Sequence, residues 1–86
     1  MNIVITGGAG FIGSHLAEAL LADGNSVTAI DDLSTGSPAN VAHLRANPEF
    51  ELVVESVTNQ MVLDHLVRRA DQVYHLAAAV GVKLIV

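Results

Sequence analysis

Thr6-Gly7-Gly8-Ala9-Gly10-Phe11-Ile12-Gly13-Ser14-His15-Leu16 decides how the rest of this chain is read. Ahead of it, Asn2-Ile3-Val4-Ile5 is a short apolar run suited to a buried strand, and residues 14–23 carry helical spacing. Gly7, Gly10 and Gly13 stand in a G-x-x-G-x-x-G spacing, with Gly8 as an extra glycine. A strand that feeds a glycine-rich turn and then a helix is a ready anion site, because the first-turn amides are unpaired and the helix dipole favours negative charge there. Gly7 permits the tight turn, Gly10 removes a Cβ that would hold a pyrophosphate off the amides, and Gly13 lets the helix close on the strands. A purely structural turn would use the same glycines. The strand before, the helix after and an acidic residue at the right distance favour a phosphate cradle of the dinucleotide-binding kind.

Outward from that loop, strand and helix alternate. The first strand is expected over 1–5, and the first helix turns Leu16, Ala17, Leu20 and Leu21 inward and Glu18 and Asp23 outward. Gly24-Asn25 supplies its stop, since both residues tolerate the left-handed conformation. Residues 26–31 read as the second strand. Ser37-Pro38 then opens a short helix over 38–45, with serine as cap and proline at the first helical position. Residues 50–54 read as the third strand, Thr58 as the cap of a helix over 59–69, and 72–77 as the fourth strand. In that second helix Val62 and Leu66 point inward, with Met61 and Leu63 as further candidates, and Arg68 and Arg69 suit its C-terminal dipole. The alternation predicts an α/β fold, a doubly wound parallel sheet with strand order 3-2-1-4. Its ligand crevice would open between strands 1 and 4, where the glycine loop sits. No internal repeat, linker or low-complexity stretch interrupts the pattern.

At 86 residues the chain holds at most one small domain, with a marginal core. It is apolar for its size, with mean hydropathy +0.48, yet no apolar run approaches the roughly 20 residues that span a membrane. The start lacks a basic segment, so a signal peptide is not expected. The absence of cysteine excludes disulfides and thiolate chemistry and is compatible with the cytoplasm, the expected location. Net charge is −5 with four cations, Arg45, Arg68, Arg69 and Lys83. That leaves no basic stripe for a nucleic-acid backbone and no aromatic platform for bases. Neither nucleic acid nor membrane is an expected partner, and any phosphate must be held by backbone amides.

Asp31 ends the second strand a little over twenty residues beyond Gly7. A carboxylate there can accept from both hydroxyls of an adenosine ribose and repels a 2′-phosphate. No arginine precedes Arg45, so NAD is expected over NADP. The alternative is a solvated turn residue, and Asp32 is read that way, as a turn former. Ser34, Thr35 and Gly36 offer hydroxyls and a flexible point near the adenosine, though any strand-to-helix loop could have this composition. Leu76-Ala77-Ala78-Ala79 brings small side chains to the crevice, which tight packing would explain nearly as well. His15, His43, His65 and His75 lack metal-ligand spacing, so no metal site is expected. His15 reads as packed or solvated and His75 as a satisfied structural residue.

Three stretches closely resemble one known family. They are Ile3 through Leu16, Asp31-Asp32-Leu33-Ser34-Thr35-Gly36, and Val73-Tyr74-His75-Leu76-Ala77-Ala78. The family is the extended short-chain dehydrogenase/reductases, the NAD-dependent nucleotide-sugar epimerases, dehydratases and decarboxylases with a Rossmann-type sheet. The resemblance implies that Gly7, Gly10, Phe11, Ile12 and Gly13 line the pyrophosphate and that Asp31 and Ser34 lie at the adenosine ribose. Leu76, Ala77 and Ala78 would run under the cofactor toward the nicotinamide ribose. Where the family usually carries an adenine-contacting Asp after the third strand, this chain has Ser56 followed by Val57, a neutral substitute.

The family's chemistry needs a Tyr-x-x-x-Lys pair and an upstream Ser or Thr. The only tyrosine and lysine here, Tyr74 and Lys83, stand nine positions apart and cannot form that pair. No catalytic residue is therefore assigned. Residues 1–86 are expected to be the N-terminal, NAD-binding part of such an enzyme, truncated before its remaining strands and its sugar-binding domain. A nucleotide sugar is expected only for a full-length form, and the open edge of strand 4 offers a surface for self-association. The rival readings are a non-catalytic module that senses NAD or binds a partner, and a remnant that binds nothing well.

Overall fold

Ile3, Val4 and Ile5 form the centre of a four-stranded parallel sheet in the order β3-β2-β1-β4. The structure, a computed structural model, describes residues 1–34 and 36–77. Its elements follow the expected alternation: β1 (Asn2–Thr6), α1 (Phe11–Ala22), β2 (Ser26–Asp31), a 3-10 helix (Pro38–Leu44), β3 (Phe50–Val54), α2 (Gln60–Arg69) and β4 (Gln72–His75). Pairing is in register, with Ile3 beside Val27 and Val27 beside Phe50, then Ile5 beside Ala29 and Ala29 beside Leu52. Successive side chains alternate across a strand, so these residues share one face of the sheet. Ala17 of α1 and Val41 and Leu44 of the 3-10 helix close over it to make the core. Each large aliphatic chain buried there contributes about 1.5–3 kcal/mol.

The opposite face is thinly covered. Val4 and Ile30 are buried in the sheet, but α2 has no fully buried residue. A groove of about 300 Å³ lies on this face, lined by Val4, Thr28, Val53, Val62, His65 and Leu66 among others. Val62, Leu63 and Leu66 are partly buried, whereas Met61, a candidate for the inner face, is 84% exposed. No helix among the described residues is long and apolar enough to cross a membrane.

Element boundaries depart from the sequence reading at places that have physical causes. α1 begins at Phe11 rather than Ser14, because the Gly10 carbonyl already accepts the Ser14 N–H at 2.9 Å. The second half of the glycine motif is therefore helix, and the Ser14 hydroxyl donates back to the Phe11 carbonyl. At the other end only Gly24 is left-handed, with φ 87°. Asn25 ends the helix differently, with both its backbone N–H and its side-chain amide donating to the Leu20 carbonyl. Residues 38–44 are 3-10 rather than α-helical, a period of three that points Val41 and Leu44 down together. Ser37 caps this turn through the Ala39 N–H, as expected.

Asn59, not Thr58, caps α2, through a 3.4 Å bond from the Val62 N–H. The Thr58 hydroxyl instead pairs with the Ser56 hydroxyl at 2.7 Å. β4 ends at His75, two residues early. The Leu76 N–H still reaches the Thr6 carbonyl, but the Ala77 N–H turns to the Thr6 hydroxyl. Among the described residues β4 is an edge strand, and Val73 and Leu76 beside it are exposed.

Candidate functional site

At the C-terminal ends of β1, β2 and β4 lies a cleft of about 820 Å³, on the side where the order of the strands reverses. Gly7 opens it. That residue has φ 71°, a conformation side chains resist, and a Cβ there would stand 2.9 Å from the Ala77 nitrogen. The turn is closed by the Gly10 N–H donating to the Gly7 carbonyl at 3.1 Å. Gly10 then serves as the N-cap of α1 with no side-chain cap. The first bond into the helix is that of Ser14, so the N–H groups of Phe11, Ile12 and Gly13 precede it and are open to a ligand. Phe11 and Ile12 are 75% and 71% exposed, so their side chains leave that surface uncovered.

Gly13 is required by distance rather than by backbone angle. A Cβ on it would overlap the Gly7 carbonyl oxygen and come within 2.9 Å of the Gly8 Cα. The helix thus packs on the glycine turn itself. Gly8, unassigned in the sequence reading, leaves room for the Ala29 side chain of β2.

Asp31 closes β2 and is 7% exposed. Its Oδ2 accepts the Ala9 N–H at 2.9 Å and its Oδ1 accepts the Leu33 N–H at 2.8 Å. An ionised carboxylate offers about four acceptor positions, so two are left for a ligand's hydroxyls. Asp31 therefore has two jobs, holding the glycine loop and facing the cleft. Leu33 beside it adopts φ 64°, a conformation that costs a non-glycine residue about 1–2 kcal/mol. The Asp31 bond and packing of Leu33 on the core hold it there. Asp32 is exposed, and its carboxylate accepts the Ser34 N–H at 2.9 Å. That bond holds its carboxyl below the ordinary 3.8. The turn's contribution to stability is thus fully present above about pH 4 and lost as pH falls below it.

Asn40 was not legible as a site residue. Its side-chain amide donates to the Ala9 carbonyl at 2.8 Å, and the Ser37 N–H donates to the same oxygen at 3.1 Å. With Asp31 on the Ala9 N–H, both backbone polar groups of this loop residue are held, one by β2 and the other by the segment around the 3-10 helix. Loss of the Asn40 bond should cost about 1 kcal/mol. Asn40→Ala is therefore expected to lower the melting temperature by about 4–8 °C. Calorimetric melting of the variant checks it.

Of the residues expected at a cofactor, Gly7, Gly10, Phe11, Ile12, Gly13, Asp31, Ser34, Ser56, Val57, Leu76 and Ala77 all line this one cleft. Ala78 lies outside the described residues, as do Thr35 and Lys83. Ile30, Asp32 and Thr58 line the cleft as well. The Ser56 hydroxyl already accepts the Thr58 N–H at 3.1 Å and pairs with the Thr58 hydroxyl, so the two act as one neutral polar unit. None of the described lining residues is Lys, Arg or His. His15 is exposed on α1; its Nδ1 donates to the Phe11 carbonyl at 2.8 Å and its ring lies tilted at 55° against the Phe11 ring. No group of metal-binding side chains occurs among the described residues.

A family model described as GDP-mannose 4,6 dehydratase matches residues 4–86. The chain belongs to that family. It is 46% identical over 77 residues to a UDP-glucuronic acid decarboxylase 1 of Arabidopsis thaliana. That match covers 90% of this chain and 17% of the decarboxylase. The dTDP-glucose 4,6-dehydratase of Bacillus anthracis, solved in complex with NAD, superposes with a TM-score of 0.83 at 30% identity. It covers 93% of this chain and 27% of that one. The UDP-glucose 4-epimerase of Thermus thermophilus, also solved with NAD, gives 0.76 at 36% identity, covering 92% of this chain and 24% of that one. The resemblance to extended short-chain dehydrogenase/reductases drawn from three short motifs thus holds along almost the whole chain.

Proposed function

We propose that residues 1–86 bind NAD as the cofactor part of an enzyme that modifies a nucleotide sugar by epimerisation, dehydration or decarboxylation. One observation carries this: an uncapped helix N-terminus opens into a cleft whose far wall is a buried carboxylate with acceptor capacity to spare. The amides of Phe11, Ile12 and Gly13 would take the pyrophosphate, whose charge meets the positive end of the helix dipole. Asp31 would accept from the adenosine ribose hydroxyls, with Ser34 beside it, and Ser56 and Val57 would border the adenine. Leu76 and Ala77, followed by Ala78, would lie under the nicotinamide half. When bound, NAD supplies a hydride acceptor. The NAD-bound dehydratase and epimerase that share this fold support the reading.

A ligand that binds only the folded chain raises its stability by about 2.7 kcal/mol at a hundred times its dissociation constant. Saturating NAD is therefore expected to raise the melting temperature by about 10–20 °C. An unchanged melting curve would refute the proposal.

A second reading, a non-catalytic NAD-binding module, draws on the chain's single tyrosine. Tyr74 packs against the core, nine positions from the single lysine. A reading frame that runs past Val86 into a Tyr-x-x-x-Lys helix would favour the enzyme, and a stop codon the module. We propose a cytoplasmic location, with which a cysteine-free chain is compatible. Self-association through the exposed side of β4 is proposed as well, and sedimentation of the chain with and without NAD tests it.

A further inference from the structure

Thr6 is the last residue of β1, is fully buried, and lies in register with His75 of β4. Its hydroxyl has two partners. The Ala77 N–H donates to Oγ1 at 3.2 Å, and His75 Nδ1 lies 2.8 Å from the same oxygen. If Nδ1 carried the proton, Oγ1 would receive two donors, and the hydroxyl hydrogen has no other acceptor among the described residues. With the proton on Nε2 the amide, the hydroxyl and Nδ1 are all paired: Ala77 N–H donates to Oγ1, and Oγ1–H donates to Nδ1. A buried hydroxyl without an acceptor is costly, so the geometry favours the Nε2–H tautomer of His75.

We infer that His75 is a positioning residue for the dinucleotide cleft. Acting through the Thr6 hydroxyl, it fixes the backbone at Ala77, where β4 gives way to the cleft wall. That backbone has little freedom to move. Ala77 abuts Gly7, whose missing Cβ would stand 2.9 Å from its nitrogen, and both residues line the cleft. His75 fixes the direction of the Thr6 hydroxyl, the hydroxyl holds the Ala77 amide, and Ala77 sets the width of the cleft opposite the glycine loop. This rests on the cofactor reading for what fills the cleft, but the hydrogen-bond chain itself does not.

The test compares His75→Leu, which removes the acceptor, with His75→Asn, whose Oδ1 can stand in for Nδ1. ¹⁵N NMR of the ligand-free 86-residue chain should show neutral His75 protonated at Nε2, and the Ala77 amide should exchange slowly with solvent. His75→Leu should lose that protection and bind NAD about tenfold more weakly, while AMP, which reaches only the Asp31 side, keeps its affinity within about twofold. His75→Asn should restore both the protection and the NAD affinity. Three results would each overturn the inference: a proton on Nδ1, an Ala77 amide indifferent to His75→Leu, or equal loss in the Leu and Asn variants. If the wild-type chain binds no NAD, the cofactor reading fails. The tautomer and the Ala77 exchange then decide the hydrogen-bond chain, and a positive result leaves His75 positioning the wall for another ligand.

Discussion

Gly13→Ala is expected to destabilise the chain by about 1–2 kcal/mol and to weaken NAD binding by at least tenfold. Two effects compete. Alanine is the better helix former by about 1 kcal/mol, which on an open helix face would make the change favourable. At Gly13, though, the new Cβ would overlap the Gly7 carbonyl oxygen and crowd the Gly8 Cα, both backbone atoms of a tight turn. Forcing an extra carbon into such packing costs about 1–3 kcal/mol, enough to outweigh the propensity gain. Relief can come only by sliding α1 away from the turn, and that carries the Phe11, Ile12 and Gly13 amides away from the phosphate. Gly24→Ala provides the contrast. Gly24 has φ 87° and open space around it, so alanine there should cost about 1 kcal/mol in backbone strain. NAD affinity should be unchanged. Titration calorimetry and melting curves on the two variants separate an effect on the cradle from an effect on the fold.

The second large effect is discrimination between cofactors. A 2′-phosphate would meet the nearly buried Asp31 and the exposed Asp32, and none of the described residues lining the cleft is a cation that could offset them. At about 4 Å and an effective dielectric near 20, one like-charge pair costs roughly 4 kcal/mol, about a thousandfold in Kd. NAD should therefore bind about three orders of magnitude more tightly than NADP. Asp31→Asn should close most of that gap, leaving only the small part that the more exposed Asp32 supplies. It should also weaken NAD itself, because an asparagine side chain has one acceptor oxygen for the two backbone N–H groups of Ala9 and Leu33. Equal affinity of the wild-type chain for the two dinucleotides, measured by calorimetry, would contradict this account of the site.

What could be read from the residues was what local pattern encodes. The apolar run of β1, the glycine spacing and the acidic end of β2 were enough to anticipate the sheet order and a cleft at the glycine loop. The missing parts depend on contacts between residues far apart in the chain. Asn40 reaches Ala9 across 31 positions and Asp31 reaches it across 22, and neither distance leaves a trace in a sequence window. Gly8 appeared surplus to the motif because its role is to admit Ala29 from the neighbouring strand. Thr58 and Asn59 are both good capping residues, and the choice between them turned on Thr58 finding Ser56 as a partner. The early start of α1 has a similar origin: Ser14 has a capping residue's chemistry, but Gly10 already occupies the cap.

On the proposed reading, the open amides of α1 hold the phosphates of NAD. A ¹H–¹⁵N titration of the chain with NAD tests it at the atoms concerned. The amide signals of Phe11, Ile12 and Gly13 should move together and saturate, with those of Leu76 and Ala77 following the same curve. Amides that stay still at saturating NAD, or shifts confined to the groove around Ser26, Glu51 and Arg69 on the other face of the sheet, would contradict it.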